Sequence, residues 1–452
     1  MVDVVLINSN VRSKARERLP HYGLSLLASC LIKEGFSVRT IDGDFDYLEK
    51  EDIIEKTVSY APFVVGMCAS SHQIPIAMKI AKDIKKTIKN VKIVLGGAHI
   101  TADPEFSNQS KDFFDYFVVG EAELAFPDLV RKIKNKSYSD RVIKAKGPQD
   151  LDSLPFPAYF LYDMQKCKVP LFRKRTSYVF VSRDCPFNCS FCPIPLTFDS
   201  LRYRSPKNIV SEVKYFQKKF SINNFFFQCG TFTLNRNHVI SLCEEIKNSK
   251  LNFTWGASTR CNLIDEELLS IMKEAGCINL NFGAESGSYR IRKLIGKDFT
   301  DEEIRESYRI CKNQGIDSTY FWLLGNPTET IEDIQKTIEL SLEVGDFAGF
   351  SETIIYIGTK LYVIALKEGK ITKEAWYDHL LKRNRLPYYT PDGIKREQIA
   401  SLLREAYRRF YFRPRQIHQL LKRINPYTLK LYGKQLKSIF LYNKLFRKTV
   451  KF

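Results

Sequence analysis

The stretch Cys185-Pro186-Phe187-Asn188-Cys189-Ser190-Phe191-Cys192 spaces three thiols as C-x3-C-x2-C, directly after the β-branched and aromatic run Tyr178-Val179-Phe180-Val181-Ser182. Three clustered thiolates bind soft metal, and an iron–sulfur cluster held by only three cysteines keeps one iron open to another ligand. An open iron is a working site. Two blander readings compete: a zinc site whose fourth ligand lies elsewhere, and plain core cysteines. Structural zinc usually comes as two CxxC-like pairs, and the chain has no second pair. The eleven cysteines are odd in number and otherwise thinly spread, so they read as reduced thiols with one cluster to explain and not as a disulfide framework.

The strand before the triplet opens a β/α series. Further strands are expected at Phe225-Phe226-Phe227, Phe253-Thr254-Trp255-Gly256, Ile278-Asn279-Leu280-Asn281-Phe282, 318–323 and 351–356. Helical patterns near 207–219, 237–248, 265–275, 300–313 and 330–344 lie between them. Six strands with five intervening helices predict a partial (β/α)6 TIM-like barrel, open and not closed at eight, with its chemistry at the carboxyl-end loops. Upstream, apolar runs at 4–8, 38–42, 63–67, 92–97 and 117–120 accompany helical stretches at 22–31, 73–89 and 121–133. That alternation predicts an amino-terminal doubly wound parallel, Rossmann-like domain. The Pro-containing stretch Asp150-Leu151-Asp152-Ser153-Leu154-Pro155-Phe156-Pro157 breaks both periodicities and marks a linker. The expected division is residues 1–140, a linker at 141–170, a barrel at 171–395 and a tail at 396–452.

With 452 residues, 44% hydrophobic and 27% charged, the composition is globular and excludes disordered and collagen-like classes. No apolar run reaches the roughly 20 residues of a membrane-spanning helix. The amino terminus lacks the basic flank of a signal peptide, so a cytoplasmic protein is expected. The formal charge is +19, but 14 Lys or Arg against one acidic residue fall between Ser401 and Phe452, leaving +6 for the first 400 residues. A balanced body with a basic, aromatic helical tail follows. Beyond Pro414, which is expected to end a helix, Leu429, Tyr432, Leu436, Ile439, Phe440 and Phe446 recur at three- and four-residue steps among lysines. Residues 416–452 thus read either as an interfacial helix on an anionic membrane or as a helix packed on the barrel; RNA binding is a weaker third reading.

The cysteine motif, with an aromatic before its third cysteine, resembles the radical S-adenosylmethionine (SAM) superfamily. Tyr203-Arg204-Ser205-Pro206, Gly283-Ala284-Glu285-Ser286-Gly287-Ser288 and Ile357-Gly358-Thr359-Lys360-Leu361-Tyr362 are similar to blocks of the branch with an amino-terminal cobalamin (B12)-binding-type domain, as are Val94-Leu95-Gly96-Gly97-Ala98-His99-Ile100-Thr101 and Val119-Gly120-Glu121-Ala122-Glu123. The resemblance implies that Cys185, Cys189 and Cys192 ligate a [4Fe-4S] cluster whose unique iron is chelated by SAM. It implies that Phe191, Arg260, Gly283, Glu285 and Gly325 contact SAM. Asn8, Ser9, Ser70, Ser71, Gly97, His99, Gly120 and Glu121 become candidates for a cobalamin, although no Asp-x-His-x-x-Gly signature presents a histidine to cobalt. The second barrel strand ends in Gln228-Cys229-Gly230-Thr231 where that branch usually carries acidic residues, and Leu324-Gly325-Asn326-Pro327-Thr328-Glu329-Thr330 replaces a Gly-Leu-Pro-Gly-Glu-like turn while still reading as a turn and capped helix start.

What the resemblance implies is a cobalamin-dependent radical SAM enzyme that methylates an unactivated carbon through a 5'-deoxyadenosyl radical, with an electron donor such as flavodoxin or ferredoxin. No residue is assigned as catalytic. A radical SAM cyclase, oxidase or rearrangement enzyme without methyl transfer, and a metal-stabilised RNA-binding protein, remain open. The substrate is a small molecule, lipid or isoprenoid-like if the tail meets a membrane.

Overall fold

The computed structural model describes residues 2–10, 19–137, 140–167 and 175–423, with side chains through Gln419. The first sheet consists of β1 (Val4–Asn8), β2 (Val38–Asp42), β3 (Val64–Cys68), β4 (Lys92–Gly96), β5 (Tyr116–Gly120) and β6 (Val142–Ala145), in the order β2-β1-β3-β4-β5-β6. Every pairing is parallel. All five residues of β1 are buried, as a parallel strand covered on both faces requires. Helices Tyr22–Lys33, Lys50–Tyr60, Ile74–Thr87 and Ala125–Lys134 supply the covering layers. The order reverses direction between β1 and β3, so the loops leaving those strands part and open a crevice at their carboxyl ends. β6 lies inside the stretch expected as linker. Its outward residues are exposed, which leaves no apolar run to read.

The second sheet is also all parallel: β7 (Thr176–Phe180) at one edge, then β10 (Asn224–Gln228), β11 (Thr254–Thr259), β12 (Cys277–Glu285), β13 (Asp317–Leu324) and β14 (Phe347–Glu352) at the other. Between β7 and β10 the chain makes a two-stranded antiparallel hairpin, β8 (Ser182–Arg183) with β9 (Arg202–Tyr203). β7 and β14 are the two edges, so this is the open, six-stranded partial barrel that the periodicity predicts. The last strand ends four residues earlier than 351–356. Thr353 onward is extended but leaves the sheet, meeting Tyr388 only through an isolated bridge at Ile354.

The helix Arg396–Tyr411 covers β14 and completes its edge. Tyr407 Oη donates to the Phe350 carbonyl (2.9 Å) and accepts its N–H (3.1 Å), while Tyr411 Oη does the same for Ala348 at 2.7 and 3.2 Å. Four backbone groups of an otherwise open strand are thereby satisfied. Pro414 opens the next helix, Pro414–Arg423, instead of ending one, because a first-turn position needs no N–H. The amphipathic pattern at 429–446, and most of the tail expected at 416–452, lie outside the described residues. Among the described residues no helix is long and apolar enough to cross a membrane.

Candidate active site at the junction of two sheets

The cysteine loop leaves β8 through Asp184, whose φ of +68° turns the backbone sharply into Cys185. Gly230 packs against that turn: a methyl there would sit 2.6 Å from Cys185 Cβ and 2.7 Å from the Asp184 carbonyl. The Gln228–Thr233 segment therefore supports the loop sterically, with Thr231 Oγ1 3.4 Å from Cys185 Sγ. Further along, Ser190 N–H donates to Ile295 (3.0 Å) and the Ser190 carbonyl accepts from Leu361 N–H (2.8 Å), tying the loop to two other segments of the barrel.

All three thiols are partly exposed, whereas Cys229, Cys243, Cys261, Cys277 and Cys311 are buried. Burial pushes the Cys192 thiol up to about 11, and the nearby Cys189 and Cys185 add to the shift; burial also raises Cys189, against the pull of Lys297 and Arg260. Three thiolates that repel one another beside two cations suit a cationic metal centre. Among the described residues no three His, Cys, Asp or Glu side chains converge closely enough for a single metal ion.

Of the expected SAM residues, Phe191 lies in this loop and Arg260 packs against it, while Gly283, Glu285 and Gly325 stand at the ends of β12 and β13. Arg260 is buried, its guanidinium 4.0 Å from the centre of the Phe187 ring, with Nη1 3.8 Å from Cys189 Sγ and 3.5 Å from the Gly296 carbonyl. Its Nε is buried without a partner. Glu285 ends β12 at φ +66° and pairs with Lys297 Nζ at 3.2 Å; the same amine donates to the Gly283 carbonyl at 3.0 Å. A methyl on Gly283 would fall 2.3 Å from Glu285 Oε1 and 2.8 Å from Lys297 Nζ, so any side chain there would displace this ion pair. Gly325 (φ +88°) and Asn326 donate their N–H groups to Glu329 Oε2 at 2.6 and 2.8 Å. Thr330 then caps the helix Ile331–Glu343 in a capping box with Asp333, the expected turn and helix start. Phe191 is half-buried against the apolar core of the first sheet.

Facing the barrel mouth, a cavity of about 660 Å³ opens at the crevice between β1 and β3. Asn8, Ser70, Gly97, Gly120 and Glu121 line it; Ser9, Ser71 and His99 do not. Ser9 is fully buried, and Ser71 Oγ is 3.1 Å from His99 Nδ1. His99 itself has no exposed surface, packed against Phe106, Trp376 and Tyr377, where burial pushes its pKa down to about 4. Glu121 reaches the wall of the cavity, but its carboxylate is held by Arg183 and Arg202. Sequence reasoning missed His21, Cys68, His72 and Gln73, which line the same cavity, as do Tyr178, Phe180, Arg183 and Gln228 from the barrel. Cys68 ends β3 and Gln228 ends β10, so a strand-end rule would have found both. Gly97 (φ +100°) keeps the rim open where a methyl would strike Ala69 N at 2.8 Å and Cys68 Sγ at 2.9 Å.

Residues 179–341 match the radical SAM superfamily and residues 9–130 match the B12-binding domain. The chain is 33% identical, over 88% of its own length and 88% of the relative's, to an uncharacterized methyltransferase of Pyrococcus horikoshii. It is 25% identical to an anaerobic magnesium-protoporphyrin IX monomethyl ester cyclase of Rubrivivax gelatinosus, covering 90% of this chain and 77% of that one. Among solved structures the fold is similar to the radical SAM methyltransferase TsrM of Kitasatospora setae with cobalamin and a [4Fe-4S] cluster bound (TM-score 0.69, 17% identity, 89% and 90% of the two chains). It is also similar to the cobalamin-dependent SAM radical enzyme OxsB with aqua-cobalamin bound (TM-score 0.74, 17% identity, 98% and 72%). With a three-cysteine loop at the mouth of an open barrel and a cavity at the switch point of a doubly wound sheet before it, the chain belongs to the radical SAM superfamily, in the branch that carries an amino-terminal B12-binding domain.

Proposed function

We propose that this chain is a cobalamin-dependent radical SAM methyltransferase acting on an unactivated carbon of a small molecule. The observation that carries the reading is the shared cavity: loops from the carboxyl ends of both parallel sheets line one space, and the barrel wall of that space leads through Arg183 to Cys185. Two cofactors that must exchange chemistry with one substrate need such a face-to-face arrangement. Bound, the cluster with SAM supplies one-electron chemistry and the corrinoid supplies a transferable methyl group.

In this reading Cys185, Cys189 and Cys192 hold the cluster, and Arg260 and Lys297 offset their negative charge. Phe191, Gly283, Glu285 and Gly325 form the SAM side of the barrel mouth. Residues 1–140, extended by β6, hold the corrinoid through Asn8, Ser70, Gly97 and Gly120, and residues 171–395 hold the cluster. Glycines at the rim let backbone approach a large planar ligand. Aromatic side chains of Tyr22, Tyr178 and Phe180 exclude water from the shared space, with Tyr22 stacked on Phe180 at 3.8 Å. Flavodoxin or ferredoxin serves as electron donor. The basic tail at 416–452 brings the enzyme to an anionic membrane surface, which would favour a lipid or isoprenoid-like substrate.

Cyclisation without methyl transfer is the second reading, favoured by the match to the Rubrivivax gelatinosus cyclase over 90% of the chain. Incubating the loaded chain anaerobically with reduced flavodoxin, methyl-labelled SAM and fractionated small molecules separates the two. Label recovered in a product alongside 5'-deoxyadenosine supports methylation; 5'-deoxyadenosine with an altered but unlabelled product supports cyclisation.

A further inference from the structure

Seven residues from three segments converge where the two domains meet. Arg183 and Arg202 stand opposite each other in the β8–β9 hairpin, and both guanidiniums reach Glu121 of the amino-terminal domain. Arg183 also pairs with Glu123 at 2.6 Å. Asp199, in the loop before β9, donates its N–H to Glu121 Oε1 (3.3 Å) and accepts Gly147 N–H on its carboxylate (2.9 Å), and Arg202 donates to the Pro148 carbonyl at 2.6 Å. Two arginines and two glutamates balance, and all four side chains are nearly excluded from water. The fit has no slack: a methyl on Gly147 would lie 2.4 Å from the Glu121 carboxyl carbon and 2.5 Å from Arg202 Nη1.

Arg183, Glu121 and Glu123 of this knot also line the cavity, and the knot is anchored one residue from the cysteine loop. Arg183 is followed by Asp184, in the left-handed conformation, and then by Cys185. Glu121 sits on the wall of the cavity one residue after Gly120. A buried, geometrically determined ion-pair network has few alternative arrangements, because breaking any arm strands a charge away from water. We propose that Arg183 and Glu121, with Glu123, Arg202 and Gly147, are positioning residues that hold the cavity wall and the cysteine loop in one register. The inference rests on the two-cofactor reading for its purpose but on the ion pairs for its existence.

The test uses the full chain loaded with cluster and cobalamin, compared with Glu123→Gln, which removes the charge of one arm and leaves Glu121 with its two arginines, and with Gly147→Ala, which removes no charge. Pulsed electron paramagnetic resonance between the reduced cluster and cob(II)alamin reads their separation directly. The expected result is a narrow distance distribution in wild type that shifts and broadens in both variants, at unchanged iron and corrinoid content. Hydrogen exchange of the cofactor-free chain is expected to become faster across residues 184–192 in both variants, while the helices of the barrel keep wild-type protection. Unchanged distances and unchanged exchange at 184–192 would overturn the proposal, as would exchange that rises uniformly over both domains, the mark of a general loss of stability. The exchange readout needs no cofactor, so it stays decisive if wild type holds no corrinoid, an outcome that would overturn the functional reading and leave the knot standing.

Discussion

Arg260 Nη1 lies 3.8 Å from Cys189 Sγ while the same guanidinium covers the Phe187 ring at 4.0 Å. One buried cation thus touches Cys189, a ligand in the proposed reading, and a residue two positions before it, and it holds the loop by both charge and stacking. Replacing Arg260 with Ala should remove about 2 kcal/mol of desolvated cation–π attraction, equivalent to roughly thirty-fold weaker iron retention. Lys keeps the charge without the planar face and should fall between. Iron release to a chelator, measured anaerobically, orders the three proteins; equal release would mean the contact is incidental.

The turn after β13 carries a carboxyl that burial works against. Glu329 is almost fully buried, and its pKa is pushed up to about 7 despite N–H groups from Gly325 and Asn326 that favour the anion. A carboxyl raised in the folded state contributes its stability below the unfolded value near 4.5, and that contribution is lost as pH rises through about 7. Glu329→Gln should therefore match wild type near the acid end of this window and exceed it by a few kcal/mol above the window. Denaturant midpoints across the window check it; parallel profiles would refute the assignment.

His99 behaves oppositely. Its pKa is lowered to about 4 by burial, so its stabilising contribution is present above its ordinary value of 6.5 and is lost as pH falls from there toward 4. His99→Leu should flatten that acid loss and leave corrinoid content unchanged, because the ring faces Phe106, Trp376 and Tyr377 and not the cavity. Loss of corrinoid in this variant would contradict the geometry.

Gly97→Val should do what His99→Leu does not. At φ +100°, with Ala69 and Cys68 Sγ within 3 Å of any side chain, the rim loop has to move, and corrinoid should be lost while the cysteine loop still assembles its cluster. Retained corrinoid would place the binding surface elsewhere.

Deleting residues 424–452 is expected to abolish salt-sensitive sedimentation with anionic vesicles and to leave SAM cleavage intact, since every residue proposed above to hold a cofactor lies earlier. Equal sedimentation with neutral vesicles would contradict a membrane role.

Ten of the twelve strands in the two sheets were legible as apolar or β-branched runs. β6 escaped because Val142 and Lys144 are exposed on an edge, and β14 was displaced because Ala348 and Gly349 carry little strand signal while Thr353–Tyr356 carries more and leaves the sheet. The helix Lys50–Tyr60 went unread because only Ile53 and Thr57 are buried along it. The cysteine triplet was legible as a motif since all three thiols lie in one loop. His99 was not, because the aromatic residues that bury it come from Phe106 on one side and from Trp376 and Tyr377 of the distant helix Lys373–Leu381 on the other. Glu121 appears in sequence as a strand-end polar residue, and only the fold brings Arg183 and Arg202 to it.

A chain that carries a cluster and a corrinoid on facing loops should load both in one preparation. Anaerobic reconstitution of the wild-type chain with iron, sulfide and cobalamin, followed by assay of iron, corrinoid and SAM cleavage under a low-potential reductant, tests this most directly. About four iron atoms and one corrinoid per chain are expected, with SAM cleaved to 5'-deoxyadenosine, and loss of iron and cleavage but not of corrinoid in Cys185→Ala, Cys189→Ala and Cys192→Ala. A chain that takes up zinc in place of iron, or that cleaves SAM at full cluster loading yet retains no corrinoid, would contradict it.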